Sequence, residues 1–375
     1  MRKNLYVIFL APVLLSLSCN LEMPTAVQVK GSPDFKFSAD FDIGKHLEGF
    51  FKEDSFNSNN DIDLLDCVNT EVVTYIVYMK LLDDKITLTG IDINNNYTPT
   101  TEQKWYPTDN GEYAELKVPA MDFGNFLTGF SFDESKIKSK LYISGKKDPG
   151  DLSVELKIGD AASTKYKADN KATGLNVKKE TYNGTDLPNG GKEIDLKLDG
   201  KETSIKYKIL VQAHDTIKKE WLQDPSVLVE IAVWLPFNFT ADKEGSEVNL
   251  PNDLFPEGDL FGRESPNGDK TVTDMLESLN FAMKMNKDPF TRARLSVESK
   301  GINIENPITG ASLEFPIDEQ NMKIINTPAN IPFTPKLNIV FAKDGTLSFL
   351  RNFFITEIAF KAKFNHTIDL PGGKK

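Results

Sequence analysis

The sequence predicts a mainly β fold with short helices, built as two tandem homologous β-rich repeats that form elongated antiparallel sheets or sandwiches. Three observations carry that expectation. Residues 229–242 (VEIAVWLPFNFTAD) alternate like a strand and return 127 positions later as residues 356–369 (TEIAFKAKFNHTID), with Glu230, Ile231, Ala232, Phe237, Asn238, Thr240 and Asp242 repeated as Glu357, Ile358, Ala359, Phe364, Asn365, Thr367 and Asp369. A looser copy, residues 35–40 (FKFSAD), matches residues 237–242 near the start of the chain. Between these copies shorter matches recur in the same order: residues 115–119 with 247–251, 147–149 with 287–289, 152–155 with 295–298, 174–177 with 301–304, and 209–215 with 339–344. That period is far too long for a solenoid.

Residues 1–18 read as a targeting segment that stands outside the fold. Arg2 and Lys3 precede an apolar run, residues 5–15, that is about half the ~20 residues a helix needs to cross a bilayer. Ser16, Leu17, Ser18 and Cys19 close it. This end resembles the lipobox of bacterial lipoproteins in its relaxed, spirochaete-like form. Ser18 and Cys19 fit, whereas Ser16 stands where an aliphatic residue is usual and Leu15 lies one residue further back. The resemblance implies acylation of Cys19, a lipidated tether over residues 19–24 and membrane attachment through the acyl chains. Because Asn20 rather than Asp follows the cysteine, it also implies an outer-membrane location in the cell envelope, facing the periplasm or the surface. Each buried methylene contributes about 0.8 kcal/mol, so several chains on one cysteine hold permanently where one would be marginal.

With 375 residues the chain has room for two ordinary domains, each with its own core. Without the leader, 42 basic residues face 55 acidic ones, a net charge of −13 that argues against nucleic acid and against docking on anionic lipid surfaces. Cys67 is the other cysteine, so neither a disulfide framework nor a CxxC metal site is expected. Phe (25) far outnumbers Tyr (10) and Trp (3), a bias towards apolar interior.

The first repeat is placed at residues 25–228 and carries an insertion over 43–113; the second is placed at 229–375. The insertion opens on an amphipathic turn (Ile43, Leu47, Phe50, Phe51), passes a polar loop at 55–63, and holds strands at 71–81 and 85–93 with Asp83 and Asp84 as a hairpin turn. A polar loop over 94–110 bears Lys104, Trp105 and Tyr106. Hairpins are expected from 138–144 with 152–158 and from 279–285 with 293–298. Short helices are expected at 121–130, 216–222, 272–279 and 346–353. In the strand 229–242, Ile231, Val233, Leu235, Phe237, Phe239 and Ala241 should face one way and Glu230, Trp234, Asn238, Thr240 and Asp242 the other. Pro236 has no N–H for a ladder, so that strand should bend there or lie at an edge.

Chemical motifs are scarce. His46, His214 and His366 lack metal-ligand spacing. Residues 57–61 and 92–96 place oxygen ligands at alternate positions, but Ile62 and Tyr97 stand where an EF-hand needs Gly, and Val68 and Gln103 where it needs Glu. No nucleophile elbow, phosphate loop, dinucleotide fingerprint or His-Glu-x-x-His run is present, so the reading is of a protein with no cofactor, no metal and no enzymatic role. The expected function is a cell-envelope lipoprotein acting as a non-enzymatic binding module for a protein, glycan or lipid partner, with contact expected in the insertion at Lys104, Trp105 and Tyr106. A second reading is a carrier of an apolar ligand in a groove lined by Phe237, Phe239, Phe360 and Phe364, loosely similar in layout to the tubular lipid-binding proteins although without their long helices. A third, weaker reading is a carboxylate-based hydrolase.

Overall fold

The computed structural model describes residues 26–31, 34–37, 41–42, 61–85, 90–101, 103–105, 113–121, 127–144, 150–158, 162, 164–167, 181–250, 255, 260–261, 276–330 and 332–369. Strands dominate. The first half holds β1 (Ala26–Gly31), β2 (Asp34–Phe37), β3 (Phe41–Asp42), β4 (Ile62–Cys67), β5 (Thr74–Lys85), β6 (Gln103–Trp105), β7 (Ala114–Val118), β8 (Leu127–Thr128), β9 (Phe130–Phe132), β10 (Lys138–Ser144), β11 (Gly150–Ile158) and β12 (Thr164–Lys167). There follow β13 (Thr181–Tyr182), β14 (Lys192–Glu193), β15 (Thr203–Ile217), β16 (Ser226–Pro236), β17 (Asn238–Ala241), β18 (Ser246–Asn249), β19 (Leu276–Met285), β20 (Phe290–Ser299), β21 (Ile302–Pro307), β22 (Ser312–Pro316), β23 (Lys336–Ser348) and β24 (Phe354–Asp369). Two short α-helices, α1 (Lys219–Leu222) and α2 (Glu319–Ile325), lie among the described residues.

The described strands form four sheets, antiparallel except where β13 meets β4. One runs β13-β4-β5-β16-β10-β14; the second runs β12-β11-β15, with β6 and β7 on the far side of β15. The third runs β21-β20-β23, with β17 and β18 beyond β23 and the short β9 and β8 beyond those. The fourth runs β22-β19-β24, and β1, β2 and β3 share the remaining edge of β24. A pairing order therefore occurs twice: β14-β10-β16-β5 beside β22-β19-β24-β1, and β12-β11-β15-β7 beside β21-β20-β23-β18. One continuous apolar core links both halves of the chain, from Ile62 in β4 to Ala362 in β24. The period-two pattern builds it: in β23, Leu337, Ile339 and Phe341 are buried while Lys336 is exposed and Asn338 and Val340 are half-buried.

The stretch expected as one strand over 229–242 is two strands in two sheets. β16 ends at Pro236, β17 starts at Asn238, and Phe237 alone stands between them. Proline cannot extend the ladder, so the chain leaves the first sheet there. Phe237 N–H donates to the Val73 carbonyl (2.9 Å), its carbonyl accepts from Phe349 N–H (3.0 Å), and β17 then pairs with β23 and β9. In the matching stretch Lys363 occupies the place of Pro236, and β24 continues unbroken for 16 residues.

Other expectations are corrected by the pairings. β10 and β11 form no hairpin: β10 lies between β16 and β14 and β11 between β15 and β12, so the two strands belong to different sheets. β19 and β20 separate in the same way. Turn residues announce that a chain leaves a strand, not which sheet receives it. Asp83 and Asp84 lie within β5, opposite Leu228 and Val227, and the hairpin of this region is β4–β5. β6 occupies part of the expected polar loop 94–110. β5, inside the segment read as an insertion, is the ladder partner of β16. Among the described residues of the four expected helices only 216–222 contains one, α1; residues 122–126 and 272–275 lie outside the described residues. Residues 276–279 open β19, residues 127–128 form β8, and residues 346–348 complete β23, because Leu347 and Phe349 bury at period two against the core. α2 was not expected, although Asp318 caps it by accepting from Asn321 N–H at 2.7 Å.

Candidate functional site

β13 and β14 are opposite edges of one sheet, and residues 183–191 join them across its outer face. Hydrogen bonds pin this strap. Asn69 Nδ2 donates to the Asn183 carbonyl (2.8 Å), Lys138 Nζ to Asp186 Oδ2 (2.9 Å) and Tyr142 Oη to the Pro188 carbonyl (2.9 Å). Gly191 has φ +73°, and a Cβ there would come within 2.9 Å of the Tyr142 ring, so glycine is what lets the strap lie on that side chain. Leu187 is buried beneath it, in a small apolar cluster with Leu65, Ile76, Tyr78, Tyr142 and Trp234 that is separate from the main core.

Glu230 sits in this enclosed layer. The sequence pattern assigns it to the solvent face of β16, but both faces of the strand are covered and Glu230 is 1% exposed. Tyr78 Oη donates to its Oε1, and its Oε2 has no hydrogen-bond partner among the described residues. Burial pushes its carboxyl up to about 7. Lys80, its register partner on β5, carries its ammonium within 3.9 Å of Asp83. Cys67, fully buried nearby, has its thiol pushed up to about 12, by burial first and by Asp66 second. The site thus holds a carboxyl that exchanges its proton near neutrality and a thiol held in its inert protonated form. Sequence reasoning missed Glu230. The available signal was its place in β16, where apolar residues flank it on both sides without a break from Val227 to Pro236.

The residues singled out from sequence are scattered. Lys104 and Trp105 lie in β6, opposite Gln212 and Val211 of β15, rather than in a loop; Tyr106 and Cys19 lie outside the described residues. Phe237 and Phe239 are buried side by side, ring centroids 5.9 Å apart, with Phe132 and Phe349 around them. Phe360 is buried elsewhere, against Phe281 (5.1 Å) and Phe333 (6.2 Å). Phe364 lies in β24 opposite Gly31 and Leu276. The structure therefore does not bring these four together in one lining. His214 falls in β15, His366 pairs in register with Val29, and His46 is outside the described residues. Asp92 is a turn former: Oδ1 accepts from Asn94 N–H (2.9 Å) and Oδ2 from Asn95 Nδ2 (2.9 Å), which lowers its carboxyl. Asp242 likewise accepts from Ser131 Oγ at 2.7 Å beside the Gly129 turn. No metal-holding group of His, Cys, Asp or Glu occurs among the described residues, and no helix among them is long and apolar enough to cross a membrane.

No protein-family model and no curated protein sequence matches the chain. Among solved structures it is similar to a crystal structure of a candidate secreted protein from Parabacteroides distasonis, at 9% identity and a TM-score of 0.33, over 90% of this chain and 99% of the other. That likeness is too slight to bear on function.

Proposed function

We propose that this protein is an outer-membrane lipoprotein, anchored through acyl chains on Cys19, that serves as a non-enzymatic interaction module built from two tandem β units. The recurring strand-pairing order supports the two-unit organisation. The observation that carries the interaction role is where apolar surface stays open. Among the described residues the exposed large hydrophobic side chains are Val68 (38%), Ile93 (44%) and Tyr113 (48%), and all three belong to residues 43–113. The phenylalanines considered for an apolar groove are instead closed into core wherever their side chains are described, which favours a surface contact over a carried ligand.

Two results are expected. Cys19→Ala should move the protein from the membrane fraction to the soluble fraction, and its retention there would contradict lipid anchoring. Ile93→Asp combined with Tyr113→Asp should leave the melting temperature within a degree or so, since both positions are exposed, yet abolish chemical cross-links to the partner on intact cells. Unchanged cross-linking would move the contact surface elsewhere.

A further inference from the structure

The register of β1 fixes where the anchored chain leaves the fold. Ala26 pairs with Asp369, the last residue of β24, and Gly31 with Phe364. Cys19 precedes Ala26 by seven residues, which reach about 25 Å at full extension. A lipid on Cys19 therefore holds the Asp369 end of β24 near the bilayer. The opposite end of β24 starts at the joint with the first half. There Val73 N–H donates to the Phe349 carbonyl (2.7 Å), Arg351 N–H to the Glu71 carbonyl (2.8 Å), and the Arg351 guanidinium pairs with Asp66. Phe354, where β24 begins, is three residues further on. From Phe354 to Asp369 is fifteen steps, about 50 Å of strand.

The first half extends from this joint in the other direction. Phe237 alone separates β16 from β17, and one residue cannot reverse a chain when the tightest common reversal takes four. β17 runs into the second half beside β23, so β16 points back out of the joint, from Pro236 to Ser226, over about 33 Å. At the Ser226 end lie Trp221, whose Nε1 donates to the Ser226 carbonyl (3.0 Å), and the 93–97 loop, held by Lys219 N–H on Asn96 Oδ1 (3.0 Å) and Tyr97 N–H on the Ile217 carbonyl (3.0 Å). Exposed Ile93 belongs to that loop.

From this we infer that the two sheets built on β23 and β24 are membrane-proximal and that the two built on β15 and β16 are displayed away from the bilayer, with Ile93 near the distal tip. The inference rests on the anchoring reading above. Its order is the reverse of the chain: the residues nearest the lipid in sequence dock on the strand nearest the C-terminus, and the segment that follows them stands furthest out. The partner is consequently one reached from the solvent side, not the anchoring lipid surface.

Energy transfer to labelled lipid tests it. Lys323→Cys lies on α2, which Asn326 ties to the Leu276 carbonyl (3.1 Å), and Leu276 pairs with Phe364 near the tether end. Lys323 is exposed, as is Ile93. The full-length acylated protein, carrying a donor dye at Lys323→Cys or at Ile93→Cys, is bound to vesicles containing acceptor-labelled phospholipid. Transfer from position 323 is expected to be several-fold stronger than from 93; equal or reversed transfer overturns the inference. Protein that fails to co-float with the vesicles overturns the anchoring reading, and the inference with it. Independently of any membrane, Gln28→Cys with Thr367→Cys, register partners in the ladder, should join within one chain through a short bis-maleimide, and its failure overturns the placement of the tether beside β24.

Discussion

Phe237→Ala is expected to lower stability by about 3–5 kcal/mol, read as a shift of the urea midpoint. The ring is fully buried and meets Tyr75, Phe132, Phe239 and Phe349 with centroids 5.5, 5.6, 5.9 and 6.4 Å away. These come from four separate stretches of chain, so a cavity at this point loosens both sheets that the 226–241 run connects. The backbone of the same residue bonds to Val73 on one side and Phe349 on the other, and the surroundings have little freedom to collapse into the space. Ile93→Ala, at an exposed position, should change the midpoint by less than about 0.5 kcal/mol-equivalent. A loss below about 1 kcal/mol at Phe237 would show that the sheet switch is not anchored by this side chain.

The second large effect is a pH dependence centred on Glu230. Its carboxyl titrates near 7 in the folded protein against an ordinary value of 4.5, because burial disfavours the charged form. Between those values the folded state holds a proton that the unfolded chain has released. Stability contributed by the neutral acid is complete below pH 4.5, falls as pH rises, and is lost above about 7; the gap corresponds to about 3 kcal/mol. The groups on the same face do not reverse the sign. Tyr78 donates to the carboxyl, Lys80 and Lys138 are drawn to Asp83 and Asp186, and Tyr142 is spent on the strap. Glu230→Gln removes the titration while leaving an oxygen for Tyr78. The variant should match the parent at pH 5 within about 1 kcal/mol and exceed it by about 2–3 kcal/mol at pH 8. Parallel stability curves for the two proteins would contradict the assignment. Raised pH should also hasten modification of the buried Cys67 more in the parent than in the variant, because both thiols titrate alike and only the parent loses strap stability.

Much of the architecture was legible because strand periodicity is a local signal. Period-two burial in residues 337–341 and the lack of a donor at Pro236 are properties of a few adjacent residues, and the structure follows them, whereas 346–348, expected as part of a helix, continues β23. Strand partnership is not local. Nothing in KSKLYIS or LSVELKI states that β10 and β11 belong to different sheets, since either strand presents an apolar face that any suitable partner could cover. The sequence matches themselves carry a related ambiguity: Leu152 and Leu295 align, as do Ile209 and Ile339, yet Leu152 pairs with Ala213 whereas Leu295 pairs with Ile339. The two alignments differ by four positions, an even number, so the buried faces agree although the equivalences do not. Glu230 was hidden for the same reason. Alternation assigns it to solvent, and only the strap of 183–191, some forty residues earlier in the chain, covers that face. The exposed apolar residues Ile93 and Tyr113 were invisible individually, because exposure is decided by what the rest of the fold leaves uncovered.

The central claim, that this is an anchored module whose first half meets a partner, is tested most directly by site-specific photo-cross-linking on intact cells. A photoreactive residue is placed at position 93, at 113 or at 323, all exposed in the fold. A discrete adduct is expected from 93 and 113 and none from 323. Adducts of equal yield from all three positions, or from 323 alone, would contradict the claim.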